Sequence, residues 1–487
     1  MMTANEYIQS LRDLGPRRIY AFGQKVDNIV DHPLIRPSIN CLAMTYKLAE
    51  MPEYADLMTV ESSLIPGKKI NRFTHLHQGT HDLINKVKMQ RLLGTMTGTC
   101  FQRCVGMDAL NAMWSTTFEC DQKHGTKYHE RFKKFLTQWQ ESDWTVDGAM
   151  TDPKGNRAGG PDVQDDPDVF VRVVERRDDG IVVRGAKIHQ TGVLNSHHIL
   201  VMPTQTMKPE EKDFAVAFSV PANDPSLLFI YGRQASDTRK LEASKIDVGN
   251  INYGGQEAVV IFENTFIPWE NVYQCGEVDF SGMLVERFAG YHRQSYGGCK
   301  AGNGDVLIGA AQAIAEFNGA AKASHVKDKI IEMIHLNETL YCCGIACSCE
   351  GHKTAAGNYL IDMMLANVCK QNVTRFPYEI ARLAQDIAGG LMVTMPSAAD
   401  FDAPETGEWC KKLFVGAPGV PVENRQRMLR LIENMTIGAA AVGYLTESMH
   451  GAGSPQAQRI MIQRNANLDA KKKMARRICG IDPDGLF

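Results

Sequence analysis

Apolar residues in the first 145 positions recur at intervals of three and four, in MTYKLAEM, in LINKVKMQRLL and across residues 101–114. That spacing predicts amphipathic helices, with little sign of strands. From residue 146 the pattern changes. The loop AMTDPKGNRAGGPD holds too much Pro and Gly to continue a helix. Period-two runs follow it, DVFVRVVERR and IVVRGAKIH, with Asp178, Asp179 and Gly180 between them as a hairpin turn. HILVMPT, DFAVAFSV, LLFIYGR and AVVIFENTFI carry the alternation to residue 270, predicting a β-domain of six or more strands. Past residue 281 long helical periods return, at 303–322, 325–350, 360–392, 423–447 and 455–477. A loop is expected at 396–422, which holds Pro396, Pro404, Pro418 and Pro421. The chain therefore reads as α+β, with a helical domain over 1–145, a β-domain over 146–280 and a helical bundle over 281–487.

One stretch of the third region concentrates reactive side chains. SGMLVERFAGYHRQSYGGCK, residues 281–300, places His292, Tyr296, Cys299 and Lys300 at spacings of three, four and seven, which on a helix is one face. Gly297 and Gly298 beside them allow the backbone either to loosen or to admit a bulky neighbour. Upstream, Cys100 and Cys104 are one helical turn apart, so both sulfurs could grip one metal. Three cysteines and a histidine suit zinc as well as an iron–sulfur cluster, and inert buried thiols are the simpler alternative. Cys342, Cys343, Cys347 and Cys349 lie closer together in sequence, but on a helix they fan around its circumference, so they read as core residues. Cys41, Cys120, Cys275, Cys369, Cys410 and Cys479 are isolated and read as structural.

Composition narrows the classes. With 487 residues, 44% of them hydrophobic, the chain can build two or three cores. A net charge of −3 creates no field to recruit nucleic acid or a membrane surface, and the basic run KKKMARR reads as a solvated helix face. The N-terminal residues lack the apolar core of a signal peptide, and no stretch reaches the roughly 18 uninterrupted apolar residues of a membrane span, so a cytoplasmic location is expected. Thirteen cysteines, an odd number, fit redox or metal chemistry better than a disulfide framework.

Three segments carry a resemblance. Thr151-Asp152-Pro153-Lys154-Gly155, Lys187-Ile188-His189-Gln190-Thr191-Gly192 and Gln385-Asp386-Ile387-Ala388-Gly389-Gly390 are similar, in order and spacing, to motifs of the acyl-CoA dehydrogenase-like flavoproteins, including the 4-hydroxyphenylacetate 3-hydroxylase branch. The resemblance implies FAD beside Thr151, Asp152, Lys154, Gly155, His189, Gln190 and Thr191, with Gln385, Gly389 and Gly390 reaching the FAD of a neighbouring subunit. Within that group CFQRCVGMDA, ERFAGYHRQSYGGCK, HPLIRPSINC, GGQEA, KQNVTRFPYEI and TESMHGAGSPQAQRIM resemble the 4-hydroxybutyryl-CoA dehydratase/vinylacetyl-CoA isomerase family. This implies a [4Fe-4S] cluster on Cys100, Cys104, His292 and Cys299, a CoA-thioester substrate, and a homotetramer built from two dimers. It also makes Glu257 and Glu447 acid/base groups for a proton shift from C2 to C4, with His450 a weaker choice.

The chemistry explains the pair of cofactors. In a 4-hydroxyacyl thioester the C3 hydrogen is not acidified by the carbonyl, so elimination needs a one-electron route that a flavin can supply. An iron held by imidazole is a suitable Lewis acid for the leaving hydroxyl, and His292 could remain a ligand or detach to act as a base. Tyr296 and Lys300 could hydrogen-bond that hydroxyl or polarise the thioester. Two other readings stand beside this one. A two-component flavin hydroxylase or acyl-CoA dehydrogenase would carry no cluster, and a silent assembly subunit would carry structural zinc and no flavin.

Overall fold

The computed structural model describes residues 1–234, 237 and 244–482. Five longer helices dominate the N-terminal part: Ala4–Asp13, Arg36–Glu50, Thr80–Thr97, Cys104–His124 and Tyr128–Ser142. The first is fixed by a reciprocal cap, in which the Glu6 N–H donates to Thr3 Oγ1 (3.1 Å) and the Thr3 N–H to Glu6 Oε2 (2.7 Å). Strands are more frequent here than periodicity suggests: β1 (Arg18–Ala21), β2 (Gln24–Lys25), β3 (Thr59–Glu61) and β4 (Lys69–Asn71). Each is too short to display an alternation, and β1 finds its partner more than 200 residues away.

The middle region adds β5 (Val146–Ala149), β6 (Arg172–Arg176), β7 (Gly180–Thr191), β8 (His198–Val201), β9 (Val216–Pro221), β10 (Leu227–Tyr231), β11 (Glu257–Pro268) and β12 (Val272–Cys275). They form two sheets, ordered β2-β1-β10-β11-β7-β6 and β12-β9-β8-β5. β1 runs parallel to β10, so the N-terminal segment is stitched into the larger sheet. The expected hairpin joins β6 to β7, closed by the Arg177 N–H on the Gly180 carbonyl at 2.8 Å. Alternate residues of both sheets, among them Ile199, Phe218, Phe229, Val260 and Phe262, share one apolar core.

A single 40-residue helix, Val278–Phe317, is the axis of the C-terminal part. The Gly297-Gly298 pair does not loosen it. A methyl at Gly297 would sit 2.6 Å from the Gly344 Cα, and one at Gly298 would sit 2.4 Å from the Val87 carbonyl oxygen. The glycines thus admit neighbouring helices, Ser324–Cys349 on one side and Thr80–Thr97 on the other, at backbone distance. Elsewhere the long periods break. Residues 360–392 divide into Met363–Val373 and Phe376–Ala388 just before Pro377, where the proline ring disfavours an unbroken helix. Residues 455–477 divide at Asn467, whose φ is 45°. The proline-rich 396–422 holds two short helices, Ala398–Asp402 and Gly407–Leu413, rather than loop alone. Among the described residues no helix is long and apolar enough to cross a membrane.

Candidate active site

Three separate segments meet beside the middle of the long helix. On that helix His292, Tyr296, Cys299 and Lys300 share one face as their spacing requires, and all four are buried, at 1–6% exposure. Cys104 opens the Cys104–His124 helix and is buried with them. Cys100 arrives differently. It lies not on a helix but in the turn before one, where Gln102 is in the left-handed region (φ 68°). The C-x3-C spacing is therefore not a helical turn, although both thiols still face Cys299 and Lys300 closely enough to influence one another's ionisation.

Burial pushes all three thiols up, Cys299 to about 11, and the neighbouring Glu447 adds to the effect. Three such thiols are neutral on their own and become anionic by releasing protons as a metal binds. The donor set, three sulfurs and an imidazole, is soft enough for an iron–sulfur cluster or zinc.

The fourth wall of the site comes from a local irregularity. Residues 423–447 do not continue as one helix. Val422–Thr436 ends, Ala439–Ala441 follows, and Val442–Thr446 forms a π-helical turn leading into Glu447–His450. Lys300 Nζ donates to the Gly443 carbonyl of that turn and lies 3.8 Å from Glu447 Oε1. Burial by itself would lower the Lys300 pKa, but Glu447 and the three thiols together raise it. A methyl at Gly443 would meet Cys100 Cβ at 2.9 Å, and one at Gly451 would lie 2.2 Å from the Tyr296 hydroxyl. Both glycines are therefore required for this approach. The Tyr296 hydroxyl and Glu447 Oε2 are buried without a hydrogen-bond partner, and the Glu447 charge reaches Tyr296.

Glu257, at the start of β11, accepts from Thr191 Oγ1 at 2.8 Å on both carboxylate oxygens. Burial, then the charge of Glu447, holds its carboxyl well above the usual carboxylate range. Glu257 thus lies within reach of the Glu447 charge. The loop after β5 is also well anchored. Lys187 Nζ reaches Asp152 Oδ2 at 2.9 Å and the Met150 and Met202 carbonyls at 2.8 and 2.7 Å, and the Val171 N–H donates to Asp152 Oδ1 at 3.0 Å. Asp152 accordingly holds the loop in place. Thr151 accepts from the Ile188 N–H at 2.8 Å, and Gln190 is buried. Lys154 and His189 adopt left-handed backbone (φ 71° and 56°), with Gly155 at 45°. His189 has its pKa lowered by burial, then by the charges of Lys154 and of His450, the last residue of the Glu447–His450 helix.

Gln385, Gly389 and Gly390 lie elsewhere, at the C-terminal end of the Phe376–Ala388 helix, where the Gly389 N–H donates to the Gln385 carbonyl at 2.9 Å. Both glycines are exposed, and among the described residues none of the three hydrogen-bonds to the thiol–imidazole group.

Several residues of the site escaped the sequence reading. Asp108 accepts from His292 Nδ1 at 2.8 Å, and its place four residues after Cys104 on one helix was the available signal. Lys86 pairs with that carboxylate. Lys370 donates to the Ser448 carbonyl and lies 4.6 Å from the Tyr296 ring centroid, opposite in origin to Lys300 at 4.9 Å. Burial, reinforced by Lys300, brings Lys370 down to about 7. No sequence pattern marks Lys86 or Lys370, because each reaches the site from a different helix.

Family models for the N-terminal and C-terminal parts of 4-hydroxyphenylacetate 3-hydroxylase match residues 3–274 and 281–480. The oxygenase component of 4-hydroxyphenylacetate 3-monooxygenase, solved in complex with FAD, shares the fold, with a TM-score of 0.86 at 24% identity over 98% of each chain. Helices, β-domain and helical bundle in this order are thus those of that class. Closer relatives carry a different chemistry in their names. A Clostridium aminobutyricum protein, 4-hydroxybutyryl-CoA dehydratase/vinylacetyl-CoA-Delta-isomerase, is 64% identical over 490 aligned residues, covering 99% of this chain and 100% of its own. An oxygen-tolerant archaeal 4-hydroxybutyryl-CoA dehydratase from N. maritimus superposes with a TM-score of 0.96 at 56% identity, covering 99% of this chain and 95% of that one. The chain belongs to the 4-hydroxybutyryl-CoA dehydratase/vinylacetyl-CoA isomerase branch of the 4-hydroxyphenylacetate 3-hydroxylase family.

Proposed function

We propose that this chain dehydrates 4-hydroxybutyryl-CoA to crotonyl-CoA and isomerises vinylacetyl-CoA to crotonyl-CoA, using FAD and a [4Fe-4S] cluster in a homotetramer built from two dimers. The observation that carries the reading is the meeting of the buried Cys100, Cys104, Cys299 and His292 with two half-buried glutamates, a buried tyrosine and a buried lysine. Cys100, Cys104, Cys299 and His292 Nε2 would hold the cluster. Thr151, Lys154, Gly155, His189, Gln190 and Thr191 would line the flavin, with Asp152 bracing their loop and Gln385, Gly389 and Gly390 serving a neighbouring subunit. When bound, these groups supply one-electron chemistry and a Lewis acid, which a C3 hydrogen without an adjacent carbonyl requires.

The protein side chains divide the remaining work. Glu447, with one carboxylate oxygen free of any partner, accepts the C2 proton and, with Glu257, returns it at C4 in the isomerisation. Burial and the Glu447 charge hold the Glu257 carboxyl above the usual range, which favours its proton-donating form. Tyr296 and Lys300 donate to developing negative charge on the thioester or the departing hydroxyl, and the surrounding burial strengthens both bonds. The His292 imidazole would serve as a cluster ligand or, where it is not one, as a base. Anaerobic purification tests the whole reading: about four irons and four acid-labile sulfides per chain, one FAD and turnover of 4-hydroxybutyryl-CoA are expected. Flavin without iron would favour the hydroxylase or dehydrogenase alternative, and zinc without flavin a structural subunit. A His292→Ala chain with full iron content and normal turnover would remove His292 from both its roles.

A further inference from the structure

Behind His292 lies a buried polar relay that none of the roles above employs. Asp108 is wholly buried. Its Oδ2 accepts from His292 Nδ1 at 2.8 Å and from Ser295 Oγ at 3.1 Å, and its Oδ1 is paired with Lys86 Nζ. Lys86 is itself fixed by the Tyr291 carbonyl at 2.9 Å and Gln294 Oε1 at 3.0 Å, and the Ser295 hydroxyl accepts from Gln90 Nε2 at 3.0 Å. The ligand-type atoms of Cys104, Asp108 and His292 all lie within 4.8 Å of one another, which taken alone would make Asp108 a fourth metal donor. Its hydrogen bonds argue otherwise. Both oxygens already face donors on the protein side, and turning either toward a metal would leave the Lys86 ammonium without its counter-charge or His292 Nδ1 without its acceptor in a dry interior.

We propose that Asp108 is the positioning residue for His292, a carboxylate that accepts a hydrogen bond from Nδ1–H, so that the Nε2 lone pair is the one left to hold the cluster. This rests on the cluster reading above. A carboxylate accepting from a ligating imidazole selects its tautomer, orients the ring and raises its donor strength. Lys86 balances the charge, and Ser295, three residues along the same helix, sets the angle of the carboxylate. The ring is also braced from its faces by Phe288, stacked at 5.8 Å, and Tyr296, edge-on at 5.0 Å.

The test is Asp108→Asn in the anaerobically prepared holoenzyme, read by iron and FAD content, turnover and the ¹⁴N hyperfine coupling of the reduced cluster. Expected are normal FAD, turnover lower by about 10–100-fold and an altered imidazole coupling. The same substitution placed in a His292→Cys chain should change neither iron content nor spectrum further, because its effect passes through the imidazole. An unchanged coupling in Asp108→Asn, or a full additional effect in the His292→Cys background, overturns the proposal. If Asp108→Asn does not fold, Ser295→Ala replaces it, with a smaller change in the same coupling expected and an unchanged one overturning. Absence of iron from the unmodified protein would sink the proposed function instead, before either variant is made.

Discussion

Two parts of the molecule are rich in cysteine, and they behave in opposite ways. Cys342, Cys343, Cys347 and Cys349 fall within eight residues of one helix, yet Cys342 and Cys349 are exposed, Cys343 is half-buried, and Cys347 spends its thiol on the Gly344 carbonyl at 3.2 Å. Only Cys347 belongs to the core, so the reading of all four as core residues holds for one of them. Cys100, Cys104 and Cys299 are spread over 200 residues and converge in one buried space with His292. Proximity along a helix puts side chains a hundred degrees apart per residue, whereas packing of separate helices can aim them at a common point. The glycine contacts at 94, 297, 298 and 302 set this aim, since a methyl at Gly302 would meet the Arg91 carbonyl at 2.1 Å.

The contrast can be broken most forcefully at the convergent site. Cys104→Ala should release most of the iron and lower turnover by more than about 1000-fold, measured by metal analysis and crotonyl-CoA formation; retention of about four irons would place the cluster elsewhere. Glu447→Gln should keep iron and flavin while slowing both dehydration and isomerisation by about 100- to 10,000-fold, the range for loss of a general base. Normal isomerisation by that variant would assign the proton shift to Glu257 alone.

A third test concerns stability rather than turnover. Asp147, on β5, is buried with both carboxylate oxygens lacking a partner, and burial raises it to about 8. The folded chain therefore keeps a proton that the unfolded chain releases above about pH 4, so stability falls as pH rises from there to about 8. The slope for this group is about 1.4 kcal/mol per pH unit within that window, and it should flatten in Asp147→Asn when denaturant midpoints are compared at pH 6 and 8. An unchanged slope would mean that Asp147 is ionised in the folded chain. At the other end of the scale, Cys342→Ser with Cys349→Ser should leave iron content and turnover intact and move stability by less than about 0.5 kcal/mol. Loss of iron there would show that the clustered cysteines do bind metal.

Much of this molecule is legible in its sequence. Period-two runs separated by Asp178-Asp179-Gly180 announced β6 and β7, because a strand that buries one face must alternate along its own sequence. One face for His292, Tyr296, Cys299 and Lys300 followed equally from local spacing. By contrast, β1 was invisible, since four residues contain no period and its partner β10 is remote. The turn holding Cys100, the π-helical turn before Glu447 and the helix break ahead of Pro377 each depend on contacts made elsewhere in the chain or on a boundary that periodicity cannot mark to the residue.

By itself, then, the sequence determined the long helical and β-stranded regions and which side chains share a helix face, for both depend on neighbours a few positions away. Only the tertiary structure decided that Lys86, Asp108, Lys370 and Glu447 join that face, and that the Gly297-Gly298 pair serves helix contact rather than flexibility. Those outcomes depend on distances between segments that meet only once the core has closed, and no local pattern of residues encodes such distances.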